Sequence, residues 1–519
     1  MAFGSRSLIA AVAATVMSLA AGTASAAADD VQVSPQARGR WLRGESEHVI
    51  VYSNEGRAVV ERYAAMLEAL DLTLRTLHGR QDAPPGRKLP VYLIRPGPSY
   101  TPNLVYRRFR PAAPISEVYR TEAGVDDIFN VAIRERMEAF GFFDSKSGDD
   151  IVLDAYARQF FTTQFVNRYP RWLIVGLAAY YASMDIRENE VVVGRPAPIW
   201  IYNLRRTATW DPIDKLVSED RRTQPIQDEV RYVAQSWLLV HYLLSDPERK
   251  AMLADYLERI KSGDADLLTA WRESFGQEAN TFDAPLRLYQ AGELKSETVA
   301  RRPPPPVKIT RIMGGADDLM LELQLLKADP EAARQFGVLD RFRAAWRRKP
   351  DERYTRAALA RAEIVLGDQA AGEALLQGLL AEDAGNLEAL RLMALSRIRS
   401  AEGAAPEDRA ALAVSAKGYL DRALAEDAGD YQTIFLYARA LDDGDVPSPE
   451  RLALLQRAVT LAPAVEDIRL TAGEAFIQAG DMATAIAVLR PLTTDPYRGE
   501  SSRKARKMLR EALLATTAP

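Results

Sequence analysis

The pentapeptide Ala381-Glu-Asp-Ala-Gly385 recurs as Ala425-Glu-Asp-Ala-Gly429 in the second half of this 519-residue chain. Comparable turn sequences follow at Leu461-Ala-Pro463 and Thr494-Asp-Pro496, so successive turns are 44, 34 and 33 residues apart. A loop around Gly403 to Pro406 lengthens the first interval. A period near 34 residues predicts stacked helix pairs, because one pair alone is too small to bury its apolar face.

The spacing and the small residues inside each unit resemble those of tetratricopeptide repeats. The small residues stand at Ala362, Ala423, Ala458 and Ala485. Four units would lie between about Tyr354 and Pro496, after a degraded half-repeat near Leu339 to Pro350 and before a polar capping helix from Glu500 to Leu514. The resemblance implies an all-α solenoid over residues 316–519 whose concave face binds peptides or partner proteins. An unrelated helical bundle is the alternative.

The first half of the chain alternates strand and helix patterns. His48 to Tyr52 and Leu89 to Ile94 are β-rich, and Arg57 to Leu77 between them has helical periodicity. Further elements are expected at Ile151–Val166, Trp172–Asp185, Glu190–Gly194, Glu229–Leu244 and Pro247–Ser262. These patterns predict an α+β domain over residues 27–294 and a chain that is predominantly helical overall.

A proline-rich tract separates the two compositional regimes. Arg301-Arg-Pro-Pro-Pro-Pro306 has the composition of a stiff, extended spacer. We therefore expect residues 295–315 to form a linker between two domains.

Two adjacent segments carry the one motif that suggests chemistry. They are Asp154-Ala-Tyr-Ala-Arg-Gln-Phe160 and Tyr169-Pro-Arg-Trp-Leu-Ile-Val-Gly-Leu-Ala-Ala-Tyr180. Their layout resembles the peptidase MA-like, or gluzincin, domain, in which a His-Glu-x-x-His helix precedes a helix that opens Trp-Leu-x-Glu-Gly-x-Ala-x-Tyr. The residues that match stand at Tyr156, Phe160, Pro170, Trp172, Gly176, Ala178 and Tyr180. The resemblance implies an α+β gluzincin-like fold from about Trp41 to Leu294.

The metal-binding positions of that family are replaced in this chain. Asp154 and Arg158 stand where the family has its two zinc-binding histidines, and Ala155 replaces the glutamate that acts as general base. Val175, or Ala179 in a shifted alignment, replaces the third ligand. Because a guanidinium has no lone pair for a metal, an ion pair between Asp154 and Arg158 is expected in place of zinc. We therefore predict no metal, no cofactor and no catalytic residue.

The former active-site region defines the candidate binding residues. They are Asp154, Arg158, Trp172, Tyr180, Tyr232 and His241, which would line a vestigial cleft. His241 lies in a mostly apolar helix, where a lone histidine is more often a hydrogen-bonded packing residue than a catalyst. The two other histidines, His48 and His78, have no evident partner in the sequence.

Composition excludes several classes of protein. No cysteine is present, which removes disulfides, thiolate metal sites and cysteine nucleophiles. The 67 basic and 71 acidic residues give a net charge of -4, so a nucleic-acid partner is not expected. The chain also lacks a Gly-x-Ser-x-Gly elbow, a P-loop and a Gly-x-Gly-x-x-Gly fingerprint.

The first 26 residues have the features of a secretory signal peptide. Arg6 precedes an apolar run from Leu8 to Ala21, and Ala24-Ser25-Ala26 provides a small-residue cleavage site. No later segment is apolar over the roughly 20 residues that a membrane span needs. We expect a protein exported to the periplasm without a transmembrane segment.

These inferences predict a non-catalytic binding or scaffold protein with a pseudo-metallopeptidase domain and a helical-repeat domain that docks partners. An active hydrolase with unrecognised ligands is the alternative. It would need a carboxylate cluster, for example Asp149, Asp150 and Asp154, to hold calcium, magnesium or manganese. A purely structural repeat protein with an accessory N-terminal domain is a third possibility.

Overall fold

The computed structural model describes residues 41–81, 88–94, 118–119, 129–133, 148–165, 169–207, 209–218, 226–262, 266–312, 316–441, 446–493 and 500–517. The predicted signal peptide at residues 1–26 and the repeat turn at Thr494-Asp-Pro496 lie outside them.

Two sheets contain the strands of the described residues. The strands are β1 (Leu42–Glu45), β2 (Ile50–Ser53), β3 (Pro90–Ile94), β4 (Val118–Tyr119), β5 (Phe129–Ile133), β6 (Asp185–Ile186), β7 (Glu190–Val193), β8 (Glu297–Ala300) and β9 (Lys308–Arg311). The larger sheet has the order β4-β5-β3-β2-β1-β9, and the smaller has the order β6-β7-β8. Strands β2, β3 and β5 are parallel, whereas β1, β4 and β9 pair antiparallel at the flanks.

Helices of the N-terminal half share one hydrophobic core with a face of the larger sheet. They are α1 (Arg57–Leu77), α2 (Gly148–Gln164), α3 (Arg171–Ala182), α4 (Pro198–Arg206), α5 (Ile213–Ser218), α6 (Ile226–Leu244), α7 (Pro247–Ser262), α8 (Leu267–Phe275) and α9 (Asp283–Ala291). Helices α1 and α7 have the predicted bounds, and α2 begins three residues before the predicted Ile151. Helix α3 packs between α2 and α6 at the centre of this half.

Strand β3 shows why both faces of the larger sheet are covered. Its residues are apolar without interruption from Val91 to Ile94, and all four are buried. Val91 and Leu93 join the core formed with α1 and α2, whereas Tyr92 and Ile94 join a second core. Because side chains alternate between faces along a strand, such a continuous apolar run is typical of a sheet covered on both sides.

The second core is formed with helices from beyond the proline-rich tract. These are α10 (Ala316–Ala328), α11 (Pro330–Gln335), α12 (Val338–Arg348) and α13 (Arg353–Leu366). Leu319 and Phe342 from these helices are buried in one cluster with Trp41, Tyr92 and Phe129 of the sheet half. The start of the repeat region therefore shares a hydrophobic core with the N-terminal sheet.

Two strands lie inside the predicted linker at residues 295–315. Strand β8 pairs with β7 of the smaller sheet, and β9 pairs with β1 of the larger sheet. The four prolines at 303–306 connect these two strands. The segment is extended, as proline-rich chains are, but its ends are held by ladder hydrogen bonds and it is not a free spacer.

The remaining helices form consecutive pairs. They are α14 (Gln369–Glu382), α15 (Leu387–Glu402), α16 (Pro406–Glu426), α17 (Tyr431–Ala440), α18 (Pro449–Leu461), α19 (Glu466–Gln478), α20 (Met482–Thr493) and α21 (Glu500–Thr517). Helix α13 packs with α14, α15 with α16, α17 with α18, and α19 with α20, while α21 packs on α20. The first helices of neighbouring pairs also touch, as α13 touches α15 and α15 touches α17.

The repeated pentapeptide forms the same turn twice. In both copies the helix ends at the glutamate, and the aspartate amide bonds back to a carbonyl of the helix, from Asp383 to Leu379 and from Asp427 to Ala423 at 3.0 Å. The residue after the glycine, Asn386 or Asp430, then caps the next helix through its side chain. The repeated sequence is thus the turn between successive helix pairs.

Among the residues the structure describes, no helix is both long enough and apolar enough to cross a bilayer.

Candidate functional site

Asp154 and Arg158 form the expected ion pair on α2. The Nε atom of Arg158 donates to Oδ2 of Asp154 over 2.7 Å, one helical turn away. Both side chains are buried. Pairs with this spacing have been measured in isolated helices, where both side chains are exposed to solvent. In the interior, desolvation opposes the attraction, and the loss of one partner is far more costly than at a surface.

The residues predicted to replace the third ligand of the resembled family are apolar in either alignment. Val175 and Ala179 both lie on α3 and are buried among apolar neighbours. Within the described part of the chain, no group of three or more histidine, aspartate or glutamate side chains is placed to hold a metal ion. The donor set of the resembled family is therefore not reproduced around Arg158.

The six candidate binding residues are brought onto three neighbouring helices, but they lie in the interior. Asp154 and Arg158 are on α2, Trp172 and Tyr180 on α3, and Tyr232 and His241 on α6, and each is at most 3% exposed. Because the side chains are enclosed by helix packing, they do not line an open cleft. Binding at these residues stays a prediction.

The three aromatic candidates each lie against aromatic or cationic side chains. The ring of Tyr180 lies 5.4 Å from that of His241. The ring of Trp172 lies 5.9 Å from that of Trp271 and 6.3 Å from that of Tyr256. The guanidinium of Arg171 lies 4.6 Å from the ring centre of Tyr232. Side-chain packing therefore explains why these positions carry aromatic residues.

His241 is hydrogen-bonded through both ring nitrogens. Nε2 lies 2.8 Å from the carbonyl oxygen of Gly194, and Nδ1 lies 2.8 Å from the hydroxyl of Tyr289. Since a carbonyl only accepts, Nε2 carries the proton, and Nδ1 then accepts from the Tyr289 hydroxyl. Burial lowers the pKa of His241, so the neutral ring is favoured. His241 thus joins α6 to the turn after β7.

The sequence around His48 and His78 does not indicate their hydrogen-bond partners. The structure identifies these partners. Nδ1 of His48 lies 2.9 Å from Oε2 of Glu68 and 3.5 Å from Oδ2 of Asp71. Nε2 of His78 lies 2.9 Å from the hydroxyl of Tyr181. Burial lowers the pKa of His78 to about 4.

A buried polar cluster surrounds His48, and we call it the His48 cluster. It comprises His48, Glu68, Asp71, Arg75 and Tyr156. Arg75 donates from Nε to Asp71 over 2.5 Å, and the hydroxyl of Tyr156 donates to the other Asp71 oxygen over 2.9 Å. The backbone N–H of His48 also donates to Glu68 over 2.9 Å. The cluster ties the start of β2 to α1 and α2.

A sequence signal for this cluster exists on α1. Glu68, Asp71 and Arg75 are spaced i, i+3 and i+7, so they share one face of the helix. That face also carries Leu67 and Leu74, which are buried. Charged residues inside an apolar stripe predict buried partners from other elements, but they do not say which elements supply them.

Opposing effects set the charges of the His48 cluster. Burial alone would lower the pKa of His48, but the hydrogen bond to Glu68 and the charge of Asp71 outweigh it, so the pKa of His48 is raised. Burial likewise opposes ionisation of Glu68, yet hydrogen bonds from His48 and Ser46 hold its pKa below the usual range. For Asp71, burial prevails and raises the pKa despite His48 and Arg75.

The space at the His48 cluster is too small for a substrate. A cavity of about 20 Å³ lies beside His48, Asp71, Arg75 and Tyr156. This is the size of one water molecule, whereas ligand pockets begin at about 300 Å³. The cluster is therefore suited to holding secondary-structure elements together.

A larger cavity of about 310 Å³ lies where the first two helix pairs meet the sheet, and we call it the repeat cavity. Its lining residues are Ile312, Glu352, Arg353, Tyr354, Ala357, Leu376, Leu379, Asn386, Glu388, Ala389 and Leu392. They come from the end of β9 and from α13, α14 and α15. Sequence reasoning did not single out these residues, because they are far apart along the chain.

The polar residues of the repeat cavity already have partners. Glu388 accepts from Arg361 over 2.8 Å, and although desolvation opposes ionisation, the charge of Arg361 lowers the pKa of Glu388 to about 2. Arg353 donates to Asp383 over 2.6 Å, and Glu352 accepts from the backbone N–H of Thr355 over 2.7 Å. The cavity therefore offers mainly apolar contacts to an incoming side chain.

The arrangement of helix pairs decides the character of the second half. It is a tetratricopeptide-like helical repeat. The tetratricopeptide-like pairs have short capped turns, buried small residues such as Ala362 and Ala423, and contacts between successive first helices. This confirms the predicted solenoid at the level of the fold.

Comparisons with known proteins add one sequence relative. No family model matches the chain. A stretch of 167 residues, 32% of this chain, is 30% identical to "Cellulose synthase 1 operon protein C" of Komagataeibacter xylinus. The match spans only 12% of that relative's length.

One solved structure is similar with a low TM-score. It is the crystal structure of a thermophilic TPR protein from Thermus thermophilus, with 19% identity and a TM-score of 0.32. The match covers 39% of this chain and 100% of that chain. The tetratricopeptide-like assignment rests on the helix pairs of this chain.

Proposed function

We propose that this chain is an exported, non-catalytic binding or scaffold protein whose tetratricopeptide-like repeats dock a partner protein or peptide. The observation that carries the proposal is the repeat cavity. It opens between the first two helix pairs, has an apolar interior, and has polar walls that are already paired within the chain. Helical repeats bind partners along such surfaces, and a cavity of this volume accepts a large side chain.

The N-terminal half is proposed to be a pseudo-metallopeptidase. Its support is the buried Asp154–Arg158 pair at the positions where the resembled family binds zinc. A guanidinium cannot ligate a metal, and its charge repels a cation. The apolar Val175 and Ala179 at the third-ligand position agree with this interpretation.

Export and an envelope role are the remaining parts of the proposal. Export is supported by the signal-like sequence of residues 1–26. The name of the sequence relative refers to a cellulose synthase operon. We propose that proteins encoded beside this chain are the first partners to test.

Site-specific photo-crosslinking in the native host tests docking. A photoreactive residue replaces Arg353, which is exposed and lines the repeat cavity, and the matched control replaces Ala453, which is exposed on α18. We expect a discrete adduct at position 353 and none at position 453. The absence of an adduct at 353, or equal adducts at both positions, would contradict the proposal.

A further inference from the structure

Strand β9 is the edge strand of the larger sheet. Residues Lys308–Arg311 pair with β1 on one side, and on the other side no strand is placed among the residues that the structure describes. An edge of this kind presents backbone N–H and C=O groups that another strand can use.

The register of the ladder shows which groups point outward. The N–H of Ile312 donates to the carbonyl of Trp41 over 3.0 Å, and Thr310 lies opposite Arg43. In an antiparallel ladder, alternate residues bond to the neighbour. Thr310 and Ile312 therefore face β1, whereas Ile309 and Arg311 direct their N–H and C=O groups to the open edge.

Charge at this edge favours an acidic strand. Lys308 and Arg311 are exposed, and neither has an ion-pair partner within the described ranges. Basic residues on an edge disfavour pairing with basic strands and attract acidic ones. The prolines at 303–306 lack N–H groups, so pairing is confined to the residues after them.

The open edge leads directly to the repeat cavity. Ile312, the residue after β9, is one of the residues that line the cavity. Its side chain packs with the core on the repeat side of the sheet. A strand added beside β9 would place alternate side chains on that same side, next to Tyr354 and Leu376.

We propose that the partner contributes an extended acidic segment, which adds as a strand to the open edge of β9 and inserts one large apolar side chain into the repeat cavity. The edge supplies hydrogen bonds through Ile309 and Arg311, and Lys308 and Arg311 supply charge complementarity. This binding mode is β-augmentation combined with a side-chain pocket. The inference rests on the proposed function, since it names the chemistry of the docked partner.

Fluorescence anisotropy with the full chain tests the inference. The probe is a labelled nine-residue peptide of alternating Asp and Val with a central Phe. The double variant Lys308→Glu/Arg311→Glu should weaken binding at least tenfold. The matched control Arg503→Glu/Lys507→Glu changes the net charge equally at exposed positions on α21 and should leave affinity within twofold.

Two further variants separate the backbone and cavity contributions. Arg311→Pro removes the outward N–H without removing a ladder bond, and it should bind at least fivefold more weakly than Arg311→Ala. Ala357→Phe fills the repeat cavity and should also weaken the probe at least fivefold. Circular dichroism melting of each variant checks that the fold is retained.

The outcomes distinguish this inference from the proposed function. Equal affinity of the wild type and Lys308→Glu/Arg311→Glu would overturn the inference, as would unchanged affinity in Ala357→Phe. If the adduct at position 353 persists in the β9 double variant, docking stands and the strand mode is wrong. Loss of that adduct in the β9 variant, but not in the α21 control, supports the inference.

Discussion

Arg158 and Asp154 are one helical turn apart, and on a helix surface such a pair contributes only about 0.3 to 0.5 kcal/mol. In this structure both side chains are in the core, with 2.7 Å between Nε and Oδ2. Burial makes the pair costly to form and more costly to break, because the remaining charge stays in a medium of low polarity. Breaking this buried pair on α2 therefore costs more stability than breaking the same pair on a helix surface.

Arg158→Ala should lower the free energy of unfolding by about 3 kcal/mol and still bind no zinc. The loss arises because Asp154 remains buried without its guanidinium partner. Urea denaturation gives the stability, and elemental analysis gives the metal content. Arg57→Ala is the control, since Arg57 forms an exposed i,i+4 pair with Glu61 and its loss should be barely measurable. One equivalent of zinc in Arg158→Ala would disprove our account of this position.

His48→Gln should be most destabilising at mildly acidic pH. The folded-state pKa of His48 is raised above about 6.5, so its stabilisation is complete below that value and is lost as pH rises through the folded pKa. Glu68 has a lowered pKa and keeps its contribution down to low pH. We expect a loss of about 1.5 to 3 kcal/mol at pH 5.5 and a smaller loss at pH 9, measured by urea denaturation.

The stability loss in His78→Gln should depend on pH in the opposite direction. Burial lowers the folded-state pKa of His78 to about 4, so the wild type loses stability as pH falls below about 6.5, where the unfolded chain takes up the proton. Replacement of His78 should therefore cost less at pH 5.5 than at pH 9. The same pH trend for both variants would contradict the charge assignments.

Helix α3 is the element on which the N-terminal half is assembled. It packs on α2 and on α6, and its residues from Trp172 to Ala182 are all buried. Gly176 marks the closest approach to α6, because a Cβ atom there would lie 2.4 Å from the carbonyl oxygen of Ser236 and 2.6 Å from Val240. The glycine of the sequence motif is thus required for helix packing.

Gly176→Ala should destabilise the protein by about 2 to 3 kcal/mol, since the backbone of α6 must move to admit a methyl group. Gly418 provides the matched control, because it also lies within a helix but a Cβ there would meet nothing within 4 Å. Gly418→Ala should stabilise by about 0.5 to 1 kcal/mol through helix propensity. Thermal unfolding of both variants checks the prediction, and a neutral Gly176→Ala would refute the close approach.

At the scale of the whole molecule, the larger sheet lies between two helical layers. The layer of α1 and α2 comes from the same half of the chain, whereas α10 to α13 come from beyond the prolines at 303–306. Trp41, Tyr92 and Phe129 are buried in the core that this second layer forms with the sheet. The two halves therefore stabilise each other through a shared apolar core.

A chain cut after Ile312 should lose its native state or aggregate, because it exposes the apolar face of the sheet. A chain cut after Glu382 retains α10 to α13 together with α14, the helix that packs on α13, and should remain folded. Gel filtration and the fluorescence of a hydrophobic dye measure the difference. A monomeric, cooperatively unfolding chain that ends at Ile312 would show that the halves fold independently.

Local patterns predicted most elements but not their partners. The helices Arg57–Leu77 and Pro247–Ser262, and the turn repeated at 381–385 and 425–429, follow from periodicity and capping residues. The contacts of the His48 cluster did not follow, because Glu68 is 20 residues from His48 and Tyr156 is 85 residues from its partner Asp71. The repeat cavity likewise combines residues from Ile312 to Leu392.

The helix pairs, their turns and the lack of a His-Glu-x-x-His pattern on α2 can all be read along the chain, since each depends on residues within a few turns of one another. Three features emerge only when the chain is folded: the proline-rich segment supplies two strands, the six candidate residues are interior, and the sheet shares a core with the repeats. Local propensity and spacing act over a few residues, whereas burial depends on which distant surfaces meet.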